Sequence, residues 1–182
     1  MKIYTKAGDA GQTGLIGGRK VSKADSVVGA LGDLDELNSS LGIAVAHSED
    51  ASLAKMLGRI QRAVFDIGAE VASPPDDSER RAAEGLDELT RELENQLDEH
   101  DRRLPDLKQF VLPGGTMLAA HLHNARTVCR RSERSLVGLA RETALRPELV
   151  RTMNRLSDWL FSAARVANME AGIEDVFWHS ES

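Results

Sequence analysis

Cysteine is almost missing from this 182-residue chain. Cys129 stands alone, which excludes an internal disulfide framework and a thiolate zinc site. Aromatic residues make up only 4%, and the five prolines sit at 74, 75, 105, 113 and 147. A β-sandwich or barrel would need aromatic and β-branched strands at short, regular spacing, so neither fits. The longest uncharged run, Gln109 to Ala125, is broken by Pro113, Gly114 and Gly115 and contains two histidines, and no membrane span is expected. No basic-then-apolar leader stands in Met1–Lys6, which points to a cytoplasmic location. None of His47, His100, His121, His123 or His179 has a Glu three residues before it, so the carboxylate-bridged di-metal site of many helical bundles is excluded. His121 and His123, two apart on a helix, point to different faces and read as ordinary polar or packing residues. What is present is 41% hydrophobic and 29% charged residue, enough for one globular domain over 1–182.

The net charge of −6 hides a segregation. Residues 1–23 carry Lys2, Lys6, Arg19, Lys20 and Lys23 against Asp9, a net of +4. Residues 121–146 carry Arg126, Arg130, Arg131, Arg134, Arg141 and Arg146 against Glu133 and Glu142, again +4. Residues 76–101 carry eleven acids against Arg80, Arg81 and Arg91, a net of −8. Two basic segments in an acidic protein suggest a local anionic ligand, whereas nucleic acid usually selects a broadly basic face. The acidic segment reads as a solvated helix face.

From residue 25 onward apolar residues recur at steps of three and four, the signature of amphipathic helices. Val27, Leu31, Leu34, Leu41 and Val45 mark a first helix, with Asn38 interrupting its seam. Leu53, Leu57, Ile60, Val64, Ile67 and Val71 mark a second, stopped by Ser73-Pro74-Pro75. Leu86, Leu89, Leu93 and Leu97 mark a third, acidic and surface-lying. Leu118, Leu122, Ala125, Cys129, Ser132, Leu136 and Leu139 mark a fourth, opened by Gly114-Gly115-Thr116 with Thr116 as N-cap. Leu149, Met153, Leu156, Leu160, Ala163 and Ala167 mark a fifth, with Pro147 in its first turn. The seams run near a 3.5 period, which predicts an all-α bundle of five near-parallel helices (residues 25–172) with a non-helical glycine-rich N-terminal arm (1–24) and a C-terminal tail (173–182). Cys129 falls on the seam, as a buried structural thiol would.

The arm packs Thr5, Lys6, Gly8, Asp9, Gly11, Thr13 and Gly14 into a short stretch, with Gly17, Gly18, Arg19, Lys20 and Lys23 following. Glycines let backbone N–H groups curl around phosphate oxygens, hydroxyls add donors and lysines add charge. It is not a Walker A loop, because no Gly-Lys-Ser/Thr follows at the right spacing. On composition alone a flexible tail is the competing reading. Arg126, Arg130 and Arg134 stand at i, i+4 and i+8, three like charges on one helix face that call for an anion or an acidic partner nearby. Phe110 to Gly115 is an apolar loop leading into the fourth helix, and Asn154 and Asp158 share one face of the fifth beside its seam.

Taken in order, these segments resemble the PduO-type ATP:cob(I)alamin adenosyltransferases. The matching stretches are Tyr4-Thr5-Lys6 with Gly8-Asp9-x-Gly11-x-Thr13, Lys23, Gly32-Asp33-Leu34-Asp35-Glu36-Leu37-Asn38-Ser39, Phe110 to Gly115, Arg126 to Arg134, and Asn154-Arg155-Leu156-Ser157-Asp158-x-Leu160-Phe161. Val27 and Leu31 depart from it, standing where many members have Arg and Tyr.

The resemblance implies a five-helix bundle assembled as a homotrimer with active sites between subunits, Mg2+-ATP and cobalamin as ligands, and transfer of the 5′-deoxyadenosyl group to cobalt. By the same resemblance Thr5, Lys6, Gly8, Asp9, Gly11, Thr13, Gly14 and Lys23 contact the nucleotide from the arm, and Arg130, Arg131, Glu133, Arg134 and Asn154 from the helices. Arg126 pairs with Asp35 of a neighbouring subunit, Phe110 crowds the lower face of the corrin, and Asp158 joins Phe110 and Arg126 on the cobalamin side. A flavin-dependent reductase and an adenosylcobalamin-dependent enzyme are its implied partners, with neither nucleic acid nor membrane among them.

The lack of a Ser/His/Asp constellation, a paired-acid site or a metal cage agrees with this reading, because reduced cobalt is itself the nucleophile. Two other classes stay open from the residues: a cobalamin carrier that turns over poorly, and a helical nucleotide-sensing scaffold without corrinoid chemistry.

Overall fold

The computed structural model describes Tyr4, residues 6–74 and residues 82–178. Thr5, Pro75, Arg80, Arg81 and His179 lie outside the described residues. The predicted helices are found in order: α1 Ser26–Ala46, α2 Ala51–Ala72, α3 Leu86–Arg103, α4 Met117–Leu139 and α5 Pro147–Glu170. Their ends follow local chemistry. The Asp25 carboxylate accepts from the Val27 N–H to cap α1, Asp50 from Ser52 to cap α2, and the Thr116 hydroxyl from Ala119 to cap α4. Pro147 opens α5, where its missing N–H has no partner to lose.

The helices pack in the order α2–α1–α4–α5–α3. One continuous core runs between them, from Leu37 and Leu41 of α1 and Leu57 and Ile60 of α2 to Leu122 and Leu136 of α4 and Leu156 and Leu160 of α5. Helix α5 is the most enclosed, and Trp159 is buried within the bundle, its indole N–H donating to Gln96 Oε1 at 2.9 Å. The seam of α1 does not stop at Asn38. That side chain sits between α1 and α2, donating to the Gln61 carbonyl at 3.3 Å while Gln61 Nε2 donates to the Asn38 carbonyl at 3.0 Å.

Helix α3 needs a correction. Its acidic segment reads from the sequence as a solvated face; the helix buries the expected Leu86, Leu89 and Leu93, with Thr90, against α5, and part of its acidic face is paired. Its acids face basic residues of its neighbours: Glu92 pairs with Arg59 of α2, Glu94 with Arg155 and Asp87 with Arg151 of α5. Three of the acids of this helix are therefore engaged in interhelical ion pairs. The sequence shows the charges but not which helix lies beside which.

The arm is not wholly without structure. Strands β1 (Gln12–Gly14) and β2 (Lys20–Ser22) pair antiparallel with Thr13 opposite Val21, and a single 3-10 turn, Ile16–Gly18, joins them. Leu15 and Val21 rest on the bundle core and fasten the hairpin to it.

Candidate functional site

The arginine face of α4 meets α5 at a pocket of about 260 Å3 lined by Arg126, Arg130, Asp158, Phe161, Ser162 and Arg165, among others. Four-residue spacing on α4 stacks Arg126 beneath Arg130, and the i, i+3 spacing of Asp158 and Phe161 brings both to the facing side of α5. The guanidinium carbon of Arg126 lies 5.8 Å from the centre of the Phe161 ring. On the same ring packs His123, also with 5.8 Å between centroids. The Arg126 Nε is buried without a hydrogen-bond partner. Burial first, and the like charge of Arg130 second, pull the Arg126 pKa below its ordinary value. A half-buried cation beside another cation is in need of an anion. His123 is buried, and burial followed by the charge of Arg126 lowers its pKa to about 4, so at neutral pH the ring is uncharged.

Farther along α4, Arg130, Glu133, Arg134 and Asn154 form one partly exposed surface. Asn154 Nδ2 donates to Glu133 Oε1 at 3.1 Å, and Arg134 Nη1 donates to the Arg130 carbonyl at 3.1 Å. Arg131 is turned toward α1, where it is held by Asp33 at 2.9 Å and by Glu36, partners that raise its pKa. Asp33 also receives the Ser135 hydroxyl at 2.5 Å, and its carbonyl receives Ser132 at 2.9 Å.

The charge ledger of residues 121–146 shrinks accordingly. Arg131 is engaged with α1. Arg146 is spent on fully buried Glu70, to which its Nε and Nη2 donate at 2.8 and 2.7 Å. Those two arginines are answered inside the chain; of the remaining four, Arg141 lies past the end of α4, and Arg126, Arg130 and Arg134 form the anion-seeking face.

The arm gathers its own basic and backbone groups. The Lys23 side chain lies over Gly8, so close that a Cβ on Gly8 would stand 3.0 Å from Lys23 Nζ. The Lys23 N–H donates to the Gly11 carbonyl at 2.8 Å and the Gly11 N–H to the Gly8 carbonyl at 3.1 Å. Lys6 adopts a positive φ of 60° at the start of this coil, a conformation uncommon outside glycine. Lys6, Gly8, Asp9, Gly11 and Lys23 are thus brought together, Thr13 and Gly14 lie in the adjoining hairpin opposite Val21 and Lys20, and Thr5 is outside the described residues. Ile16 of the arm shares a second pocket, of about 270 Å3, with Asp35, Asn38 and Phe65 between α1 and α2. Asp35 therefore lines a different pocket from Arg126 within one chain.

Phe110 is 80% exposed at the tip of the α3–α4 loop. The loop is short of its own hydrogen bonds and takes them from the C-terminal tail: Leu112 N–H donates to the Val176 carbonyl and Trp178 N–H to the Phe110 carbonyl, both at 2.8 Å. Alternation along this ladder puts Phe110, Leu112, Val176 and Trp178 on one exposed apolar face. The loop ends at Gly115, whose φ of +99° and whose approach to Asn168 leave no room for a side chain. Asn168 clasps the turn, accepting from Thr116 N–H at 2.9 Å and donating to the Gly114 carbonyl at 3.1 Å.

The structure brings Arg126, Arg130 and Asp158 into one pocket, aligns Glu133, Arg134 and Asn154 beside it, and collects the arm residues elsewhere. Sequence reasoning missed Arg165, Asp175 and the organising role of Asp33. The i+7 spacing of Arg165 from Asp158 placed it on the pocket face, but nothing local marked the tail as its partner.

Comparison with known proteins supplies the context. The sequence profile of the family described as Cobalamin adenosyltransferase matches residues 3–167. A Corrinoid adenosyltransferase of Bacillus subtilis is 42% identical over 180 residues, covering 97% of this chain and 91% of that one. The Corrinoid adenosyltransferase PduO of Citrobacter freundii is 42% identical over 174 residues, covering 94% of this chain and 51% of the longer relative. A variant PduO-type ATP:corrinoid adenosyltransferase from Lactobacillus reuteri, solved in complex with cobalamin and ATP, has a TM-score of 0.93 at 40% identity and covers 100% of this chain and 98% of its own. A second variant of that protein, complexed with ATP, gives 0.89 at 40% identity, over 97% and 100%. With the five helices, the glycine-rich arm and the arginine face all in the expected order, the chain belongs to the cobalamin adenosyltransferase family.

Proposed function

We propose that this chain transfers the 5′-deoxyadenosyl group of ATP to the cobalt of cob(I)alamin, forming adenosylcobalamin and releasing triphosphate. The observation that carries the reading is the likeness over the whole chain to a relative solved with both cobalamin and ATP, joined to an arginine face on which the buried Arg126 Nε has no hydrogen-bond partner.

The electron pair of Co(I) attacks C5′, the C5′–O bond breaks, and the triphosphate leaves with that bonding pair. No general acid or base is required. The protein must align C5′ with cobalt, a positioning task worth on the order of 7–11 kcal/mol at best. It must also stabilise the departing phosphates with preorganised charge and N–H groups. Arg130, with Glu133, Arg134 and Asn154, takes the nucleotide from the helices, while Arg131, held by Asp33 and Glu36, is not assigned to it; Thr5, Lys6, Gly8, Asp9, Gly11, Thr13, Gly14 and Lys23 take it from the arm. Mg2+ enters with the nucleotide.

On the corrinoid side stand Phe110, Arg126 and Asp158. The exposed Phe110 ring crowds the lower face of the corrin and displaces its axial ligand, which makes cob(II)alamin easier to reduce. Arg126 finds its acid in Asp35 of a neighbouring subunit of a homotrimer. Its partnerless Nε and the exposed position of Asp35 in another pocket both favour that arrangement. The reading places the enzyme in the cytoplasm, where ATP is plentiful and the single buried thiol of Cys129 stays reduced. There a flavin-dependent reductase would supply cob(I)alamin and an adenosylcobalamin-dependent enzyme would consume the product.

The test is an anaerobic reaction of the purified protein with Mg2+-ATP and chemically reduced cob(I)alamin. It should yield a light-sensitive alkylcobalamin spectrum together with free triphosphate. A folded protein that binds ATP and gives neither product would overturn the reading in favour of a carrier or a nucleotide sensor.

A further inference from the structure

The tail is tied to the Phe110 loop, and the tie runs through one buried arginine. The Arg165 side chain is 5% exposed, and its Nε donates to Asp175 Oδ2 at 2.7 Å while Nη2 donates to the Pro105 carbonyl at 3.0 Å. A single guanidinium thus joins α5 to the start of the α3–α4 loop and to the tail. One and three residues farther on, the tail pairs with the tip of that loop through the Val176–Leu112 and Phe110–Trp178 backbone bonds. Residues 105–112 are therefore held at both ends, and Arg165 itself lines the pocket of Arg126, Arg130 and Asp158. Asp175 is 9% exposed, and its Oδ1 is buried without a partner. A buried pair that leaves a carboxylate oxygen unsatisfied is a poor source of stability, since desolvation offsets the Coulomb attraction. What a two-armed guanidinium does give is direction, because its donors form a rigid fork.

We propose that the Arg165–Asp175 pair is a positioning device that fixes the Phe110 loop at the mouth of the Arg126–Arg130 pocket and so sets the geometry of the corrinoid side alone. The inference rests on the proposed function for the identity of what Phe110 meets. Neither residue is among those assigned to the nucleotide.

The experiment compares the full-length protein with Arg165→Met, Arg165→Lys, Asp175→Asn and the Arg165→Met/Asp175→Asn double variant. Hydrogen exchange of the segments containing Leu112 and Trp178 reads the mechanical link without any corrinoid. Steady-state kinetics read KM for cob(I)alamin and for ATP separately. Exchange should quicken in both segments, and the KM for cob(I)alamin should rise by about tenfold or more, as a displaced positioning group requires. The KM for ATP should stay within about twofold. The double variant should be no worse than Arg165→Met, since the two side chains act as a unit. Arg165→Lys should fall between, keeping the charge but losing one arm of the fork.

Both KM values rising together, in step with a loss of thermal stability, would overturn the proposal by making the pair merely structural. Faster exchange with an unchanged KM for cob(I)alamin would overturn it equally. If Arg165→Met fails to fold, Asp175→Asn, which leaves the Pro105 bond in place, carries the same comparison. A wild-type protein inert toward cob(I)alamin would sink the proposed function itself; an active wild type with indistinguishable variants sinks only the positioning role.

Discussion

Arg130→Ala removes a guanidinium that is exposed on α4 and lines the pocket beside Arg126. An exposed helix position loses little buried surface, and alanine is the better helix former, so stability should change by no more than about 0.5 kcal/mol. The substitution also relieves the repulsion that lowers the Arg126 pKa, which acts in the same direction. Loss to the reaction is far larger. A unit charge about 4 Å from a phosphate oxygen, at an effective dielectric near 20, is worth roughly 4 kcal/mol before solvent and salt reduce it. Removing one preorganised donor from a developing oxyanion typically lowers turnover by about 10²–10³-fold. Because negative charge grows on the leaving triphosphate as the C5′–O bond breaks, much of the loss should fall on kcat and not only on KM for ATP. The assay is anaerobic turnover with pre-reduced cob(I)alamin across an ATP series, alongside a thermal melt followed by circular dichroism. We expect kcat/KM for ATP to fall by about 10²–10³-fold with Tm within roughly 2 °C. Near-normal turnover would move the triphosphate away from Arg130. A fall in turnover accompanied by a large drop in Tm would mean that the residue supports the fold.

Phe110→Ala should leave the melt unchanged and slow the reaction started from cob(II)alamin more than that started from cob(I)alamin; equal slowing of both would remove the axial-ligand argument. Glu70→Ala removes the partner of the partly exposed Arg146 guanidinium and leaves the buried Ala83 N–H unsatisfied, and should lower stability by about 1–3 kcal/mol and Tm by roughly 5 °C, whereas a change under about 0.5 kcal/mol would contradict the pairing. His123 has its folded pKa lowered to about 4 from an ordinary 6.5, so as pH falls the unfolded chain takes up the proton first. Stability from the neutral ring is complete above pH 6.5 and drains away between 6.5 and 4, by up to about 3 kcal/mol; urea titrations across that range should show a shallower decline for His123→Phe.

The helices were legible because each buries one stripe and the stripe shows in the spacing: Leu57, Ile60, Val64 and Ile67 announce α2 without any knowledge of its neighbours. Caps were legible for the same local reason, as Thr116 and Pro147 show. What resisted reading was pairing at a distance. Glu70 looks like one more surface acid until Arg146 and Ala83 close over it, and the acids of α3 look solvated until α2 and α5 bring Arg59, Arg151 and Arg155 alongside. The site divides in the same manner. Arg126, Arg130 and Arg134 are visible from their four-residue spacing, but that Arg131 turns instead to Asp33 depends on the packing of α4 against α1.

The arrangement of charge also explains why one chain looks chemically incomplete. Arg126 is half buried, stands beside Arg130 and has an Nε with no partner, a state that an isolated protein holds only at the expense of stability. Asp35 has the opposite defect: it is an exposed acid at the rim of an apolar pocket where Phe65 and Ile16 are 71% and 49% exposed. Among the described residues Asp35 and Arg126 line different pockets, because α1 stands between the α2 pocket and the α4–α5 pocket in the packing order. A second copy that sets Asp35 against Arg126 would supply the missing anion and cover the apolar rim in one contact. It would also bring the arm, which rests by Ile16 on the Asp35 side, up to the arginine face of its neighbour. On the proposed reading, the glycine-rich arm of one subunit and the arginines of the next would then enclose a single triphosphate, so that assembly and substrate binding would draw on the same charges.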